Sequence, residues 1–184
     1  MSRIKYIYIF LVIFILSHCS TVDQHSTLPT IKPIDLLISS EDMPVDWKSF
    51  EVFSDEYDDL CYIDCAMIQF SPVDENKVYA EQSVYIYNTV EEAERKYKVL
   101  EGTLQLGTAP SNWSYHSNAA NKSDVSCYTN ESKSYPSCIW IAQYGKYLVE
   151  FYAAILPDRM SLSDLEKIIY HVDSKMKVVA NPGQ

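Results

Sequence analysis

Five cysteines carry the first chemistry to weigh in this 184-residue chain: Cys19, Cys61, Cys65, Cys127 and Cys138. Cys19 stands just after an unbroken apolar run, Tyr6 to Leu16, which a short basic start, Arg3 and Lys5, introduces. That layout reads as a secretory leader, and it puts the other four cysteines, an even number, in an oxidising compartment. Cys127 and Cys138 flank a polar stretch, Tyr128 to Ser137, that reads as a hairpin loop, so a bridge between adjacent strands is the leading expectation. A loop of that size contributes roughly 2–3 kcal/mol on the chain-entropy model. Cys61 and Cys65 then pair by default. On an extended strand such positions are about 13 Å apart, too far for a disulfide, so this pairing demands a turn or bulge at Tyr62-Ile63-Asp64. A crossed pairing of Cys61 or Cys65 with Cys127 is the alternative. A zinc site is the weaker one, because the CxxC knuckles of such sites are missing.

Other chemistries find little support. There is no GxSxG, and outside the leader the histidines are His25, His116 and His171, far apart in sequence. A Cys–His pair needs a free thiolate, which oxidised cysteines cannot supply. His171 falls at the boundary of a helical apolar face. The four glycines form neither GxxxxGK nor GxGxxG, so phosphate cradling is not indicated. The acidic run Asp55-Glu56-Tyr57-Asp58-Asp59 lacks the glycine and spaced glutamate of a calcium loop and reads as a solvated loop. The expectation is a protein without enzymatic activity, cofactor or metal.

Aromatic side chains are the more suggestive set. Fifteen tyrosines is a high count for this length. Tyr79, Tyr85 and Tyr87 share one parity of a strand, and Trp140 and Tyr152 are placed to lie beside them. If both helices cover the other face, these five form an aromatic floor suited to a sugar, a peptide or an apolar small molecule. The competing reading is that they pack under the N-terminal segment or under the long polar loop from Gly107 to Ser123. That loop is the candidate mobile rim of any site. It and the following hairpin carry the sequons at Asn112, Asn121 and Asn130, which mean decoration only in a eukaryotic secreted protein.

Two helices and a run of strands must position these residues. Thr89-Val-Glu-Glu92 is a capping box, followed by Val90, Ala93, Tyr97, Leu100 and Leu104 at helical spacing, with Gly107 and Pro110 as the stop. The second helix begins near Ser161 and aligns Leu162, Leu165, Ile168, Ile169, Val172 and Met176. Strands are expected at 66–70, 78–87, 124–129, 138–143 and 146–155, with Gly145 turning between the last two. Ile34 to Ile38 reads as one helical turn, and Trp47 as a plug at the core edge. Short links between consecutive strands make antiparallel pairs, so the fold class is α+β: an antiparallel sheet of about five strands with two main helices on one face.

The domain organisation follows: a leader over 1–18, a polar tether over 19–33 and one α+β domain over 34–180. The apolar run of about 11 residues is too short for a bilayer-spanning helix, which needs roughly 20. Leu16-Ser17-His18-Cys19 resembles the lipobox of bacterial lipoproteins, with His18 where that family carries Gly, Ala or Ser. The resemblance implies lipidation at Cys19 and an extracytoplasmic protein anchored to the cell membrane. Simple secretion is the alternative, and an uncleaved anchor a further one. The formal charge of −10 becomes −12 once Arg3 and Lys5 leave with the leader, which argues against nucleic-acid partners. The segments DLLISSEDMPVDW (35–47), YNTVEEAERKYKVL (87–100) and YGKYLVEFYAAI (144–155) resemble bacterial extracytoplasmic lipoproteins. They also resemble the extracellular sensor domains of mycobacterial-type serine/threonine kinases. That resemblance implies a ligand-binding or sensor-like α+β module meeting a small molecule, a glycan or an envelope protein. The other reading is a structural lipoprotein that supports an envelope complex.

Overall fold

The structure, a computed structural model, describes residues 31–54, 64–104, 107–129 and 135–180, all within the unit Ile31–Gln184. Cys19, Cys61, His25, the leader and the acidic run at 55–59 lie outside the described residues. Six strands form one antiparallel sheet: β1 (Trp47–Ser54), β2 (Asp64–Pro72), β3 (Ala80–Ile86), β4 (Lys122–Thr129), β5 (Pro136–Tyr144) and β6 (Tyr147–Ala154), in the order β1-β2-β3-β6-β5-β4. Helix α1 (Val90–Leu104) follows β3, and α2 (Leu162–Ala180) follows β6. The α+β class and the antiparallel pairing agree with the reading of the sequence. Among the described residues no helix is long and apolar enough to cross a membrane.

The sixth strand, β1, was not expected. Its residues WKSFEVFS do not alternate cleanly, because the pairing with β2 slips between Ser49 and Glu51 and pushes Phe50 out of the ladder. A bulge of this kind scrambles the period-two signal that marks a strand.

The two helices also do not share a face. Alternate residues of a strand point to opposite sides. Tyr97 of α1 packs on Ile141 and Leu148, whereas α2 buries Leu165, Ile169 and Val172 with Trp140, Val149 and Phe151. The helices therefore lie on opposite faces. The cause is in β5 and β6, where both parities are apolar: Ile139 and Ile141 against Trp140 and Ala142, and Leu148 against Val149 and Phe151. A sheet centre that is apolar on both sides needs cover on both sides.

Local chemistry fixes each helix. At α1, Thr89 Oγ1 accepts the Glu92 N–H at 3.2 Å, and Glu92 in turn accepts from the Asn88 N–H at 3.2 Å. At α2, Ser161 and Asp164 cap each other reciprocally, both backbone contacts at 3.1 Å. Tyr97, 1 % exposed, donates its hydroxyl to Asp124 at 2.6 Å and ties α1 to β4. The turn from α1 back to β4 requires glycine: a Cβ on Gly107 would stand 2.3 Å from Ser126 Oγ and 2.7 Å from the Cys127 carbonyl oxygen. Gly145, at φ +57°, opens the two-residue turn between β5 and β6.

The segment before β1 belongs to the core. Pro33–Leu36 forms a 3-10 turn, and Leu36, Leu37 and Ile38 are buried on the α2 face. Gln82, fully buried on β3, holds this segment. Its Oε1 accepts the Ile38 N–H at 2.7 Å, and its Nε2 donates to the Leu36 carbonyl at 3.3 Å. Lys175 Nζ donates to the Leu37 carbonyl, and Tyr147 donates its hydroxyl to the Ile31 carbonyl at 3.0 Å. The described end of the stretch expected as tether, Ile31 to Pro33, is thus joined to the domain.

Candidate functional site

The expected cysteine bridge between β4 and β5 is present. Cys127 and Cys138 face each other in register with Cα atoms 4.0 Å apart and are joined by a disulfide. The N–H and C=O of Cys127 both turn away from β5 to pair with Thr108, so this is the close, non-hydrogen-bonded kind of cross-strand pair. Cys65, at the start of β2, is also disulfide-bonded.

The five expected aromatic residues do not form one floor. Trp140 is 1 % exposed and sits on the opposite face, under α2, because the register sets it opposite Phe151, whereas Tyr152 pairs with Ile139. Tyr79 stands before β3 against Tyr135, ring centroids 6.1 Å apart. Tyr85, Tyr87 and Tyr152 remain on the α1 face. Tyr85 pairs across to Leu148 and Tyr152 to Glu81, with Ser83 and Glu150 in the row between. Tyr85 and Tyr87 pack partly against the Tyr97–Ile141–Leu148 cluster. Burial first, with Glu150 nearby, pushes the hydroxyls of Tyr85 and Tyr87 up to about 12. The same burial raises the Glu150 carboxyl above its usual range, opposed by Lys96 and reinforced by Glu81. This stripe is a half-buried polar seam rather than an open platform.

The long loop expected as a mobile rim is pinned to α2 by two carboxylates. Glu166 accepts the Ser114 N–H at 2.5 Å and the Tyr115 N–H at 3.1 Å. Asp173, 2 % exposed, accepts from the Tyr144 hydroxyl at 2.6 Å and from Ser117 Oγ. Burial and the Asp173 charge together raise the Tyr115 and Tyr144 hydroxyls well above the usual phenol value. His171 is exposed on α2, 3.6 Å from Asp42, as its place at the edge of the apolar face implied; His116 is exposed in the loop. Among the described residues no cluster of three or more His, Cys, Asp or Glu is arranged to hold a metal.

A cleft-like feature lies elsewhere, at the end of the sheet where β1, β2 and α2 meet. It is an open depression of about 780 Å³ built from three turns, each with a proline and an aspartate: Pro44-Val45-Asp46, Pro72-Val73-Asp74 and Pro157-Asp158-Arg159. Each turn is closed by its own backbone bond: Trp47 N–H to Pro44, Glu75 N–H to Pro72, and Arg159 N–H to Leu156. Asp46 sits at φ +70°, at the third position of its turn, where a type II geometry demands a residue that tolerates the left-handed region. The β1–β2 register sets Trp47 opposite Pro72, which brings the first two turns together, and the Val73 N–H donates to the Asp46 carbonyl at 2.8 Å.

The third turn is locked to both. Trp47 Nε1 donates to the Arg159 carbonyl at 3.3 Å, and the Arg159 guanidinium forks onto both oxygens of Asp74, the Nη2–Oδ2 arm at 2.8 Å. That fork holds the Asp74 carboxyl below its usual range. Val45 is 89 % exposed and Val73 54 %, and Asp46, Asp74 and Asp158 are exposed as well, so the mouth carries apolar and acidic side chains side by side. Reading the sequence identified the Trp47 plug but not this site. The recurrence of Pro-Val-Asp at 44 and 72 was the signal available.

Comparison with protein-family models, with curated proteins and with solved structures gives no match in any of the three.

Proposed function

We propose that this chain is an extracytoplasmic, lipid-anchored binding module without catalytic activity of its own, and that the three-turn depression is its ligand seat. The observation that carries the reading is the bracing of that depression. Exposed turns from distant parts of the chain are held in one arrangement by a bidentate Arg159–Asp74 pair, an indole bond and a backbone bond. A preformed concave site with a few fixed polar groups is the usual form of a binding site. The leader layout, Cys19 and the resemblance to envelope lipoproteins support the placement outside the cytoplasm. The oxidised state of Cys65, Cys127 and Cys138 supports it as well. The envelope partner, glycan or small molecule is then met by the turns rather than by the tyrosine stripe.

A second reading, an interaction protein supporting an envelope complex, is favoured by edge strand β1, where Phe50 and Val52 are each nearly half exposed. A photo-crosslinking residue placed at Val45, and in a separate variant at Val99 on α1, tests the choice in intact cells. Adducts from Val45 alone support the seat; equal labelling from both, or none from Val45, contradicts it. The intact mass from the membrane fraction tests the anchor, with acyl chains on Cys19 as the expected result and an unmodified Cys19 as the contrary one.

A further inference from the structure

We infer that the anchored domain stands with its Tyr147 end against the bilayer and its three turns facing away from it. The seat then takes its partner from the water side of the envelope, not from the membrane that holds Cys19. This rests on the reading of Cys19 as the anchor and of the depression as the seat, and adds the surface that meets the lipid and the side from which the seat is filled. The path of the chain and the distribution of charge carry it independently.

The Tyr147 hydroxyl holds the Ile31 carbonyl at 3.0 Å, at the end of the sheet where Asp64, Ile86 and Tyr147 stand in one row. From there the N-terminal segment travels along the sheet. Gln82 clamps Leu36 and Ile38 partway, and Trp47 reaches the far end, opposite Pro72. Strand β2 spans the same distance from Asp64 to Pro72, a rise of about 26 Å at roughly 3.3 Å per residue. The depression is at that far end. Helix α2 runs back the other way: Asp164 in its first turn lines the depression, and Asp173 accepts from Tyr144 beside the β5–β6 turn. Lys177, one turn beyond Asp173, therefore stands at the entry end. Twelve residues separate Ile31 from Cys19, a reach of at most about 40 Å even fully extended. The clamp at Ile31 fixes the point from which that link departs, at the end away from the seat. A link of this length still allows tilting, and charge decides its sense.

At the entry end, Glu92 is paired with Arg95 and Glu94 with Lys122. That leaves Lys32, Lys146 and Lys177 against Asp35, Asp64 and Glu91, so this end is neutral. At the far end, Arg159 neutralises Asp74 and Lys167 neutralises Asp164. Glu41 and Glu75 are matched by Lys48 and Lys77, and Asp46 and Asp158 remain in excess. An anionic headgroup surface, at a potential of roughly −30 mV, repels the end that carries this excess and tolerates the neutral one. Screening limits that field to about 8 Å at physiological salt, so the far end, once turned outward, lies beyond it.

The test uses the chain as isolated from the membrane fraction, ¹⁵N-labelled and shown by mass to carry acyl chains on Cys19. It is placed in nanodiscs of phosphatidylcholine and phosphatidylglycerol with a trace of a gadolinium-headgroup lipid. The expected result is broadening of the Lys32, Gly145, Lys146 and Lys177 amides, with Val45, Asp46, Val73 and Asp158 left sharp. The triple variant K32Q/K146Q/K177Q gives the entry end an acidic excess too. It should cut the difference in broadening between the two ends at least about fivefold, the worth of one lysine near such a surface. K77Q/K96Q/K98Q removes as many charges elsewhere and should keep the difference. Equal broadening at both ends, broadening of the turns alone, or loss of the difference in this control overturns the inference while the acylated Cys19 stands. An unmodified Cys19 overturns the anchor and the inference together, and the crosslink at Val45 judges the seat separately.

Discussion

Replacing Gln82 by methionine isolates the bond that ties the N-terminal segment to the sheet. Gln82 is fully buried, and its amide is the partner of the Ile38 N–H and the Leu36 carbonyl, in residues each 2 % exposed. Methionine keeps the length and most of the volume, so cavity formation contributes little. Two backbone groups lose their partner in an apolar setting, at about 1–3 kcal/mol each, and partial relaxation of the segment recovers some of that. The expected loss is roughly 2–4 kcal/mol, a large part of the 5–15 kcal/mol typical of a domain. Urea denaturation of wild type and variant reads the loss as a shift in midpoint at constant slope. Hydrogen exchange localises it to the Ile38 amide. A variant within about 0.5 kcal/mol of wild type, with Ile38 still protected, would refute the assignment of the clamp to Gln82.

Gly107→Ala forces a Cβ into Ser126 Oγ and the Cys127 carbonyl, and should cost roughly 1–3 kcal/mol, seen as a lower thermal midpoint. Asp173→Ala strips the buried acceptor from Tyr144 and Ser117 and should cost about 3 kcal/mol. The amides of Ala119 and Ala120, which donate to Ser117 Oγ, should then exchange faster. Glu150→Gln should stabilise the protein at neutral pH. The folded state holds the Glu150 carboxyl above its unfolded value of 4.5, so the native carboxylate is penalised once pH exceeds the folded value. The gain should shrink on acidification and vanish below about pH 4, where both states are protonated; a gain independent of pH would contradict the burial argument.

The two helices were legible because their caps and apolar spacing are local: Thr89 with Glu92, and Leu165, Ile168, Ile169 and Val172 on one face. The Cys127–Cys138 bridge was legible because two strands with a short polar loop leave few other partners. The sidedness of the helices was not, because β5 and β6 are apolar on both parities and period alone cannot say which face a helix takes. β1 was hidden by its bulge at Phe50. The depression was hidden for a different reason. Its three turns are far apart in sequence, and only the pairing of Trp47 with Pro72 and the reach of Arg159 to Asp74 bring them together. The aromatic floor failed at Trp140 because a strand reading cannot fix which neighbour shares its register.

Hydrogen exchange of the protein in its native membranes, set against the purified chain, tests the central claim most directly. A ligand seat at the three turns predicts that the amides of 43–47, 72–75 and 156–161 gain protection together in the membrane while those of α1 are unchanged. Identical exchange at the three turns in both settings, with protection gained instead along β1 or α1, would contradict it.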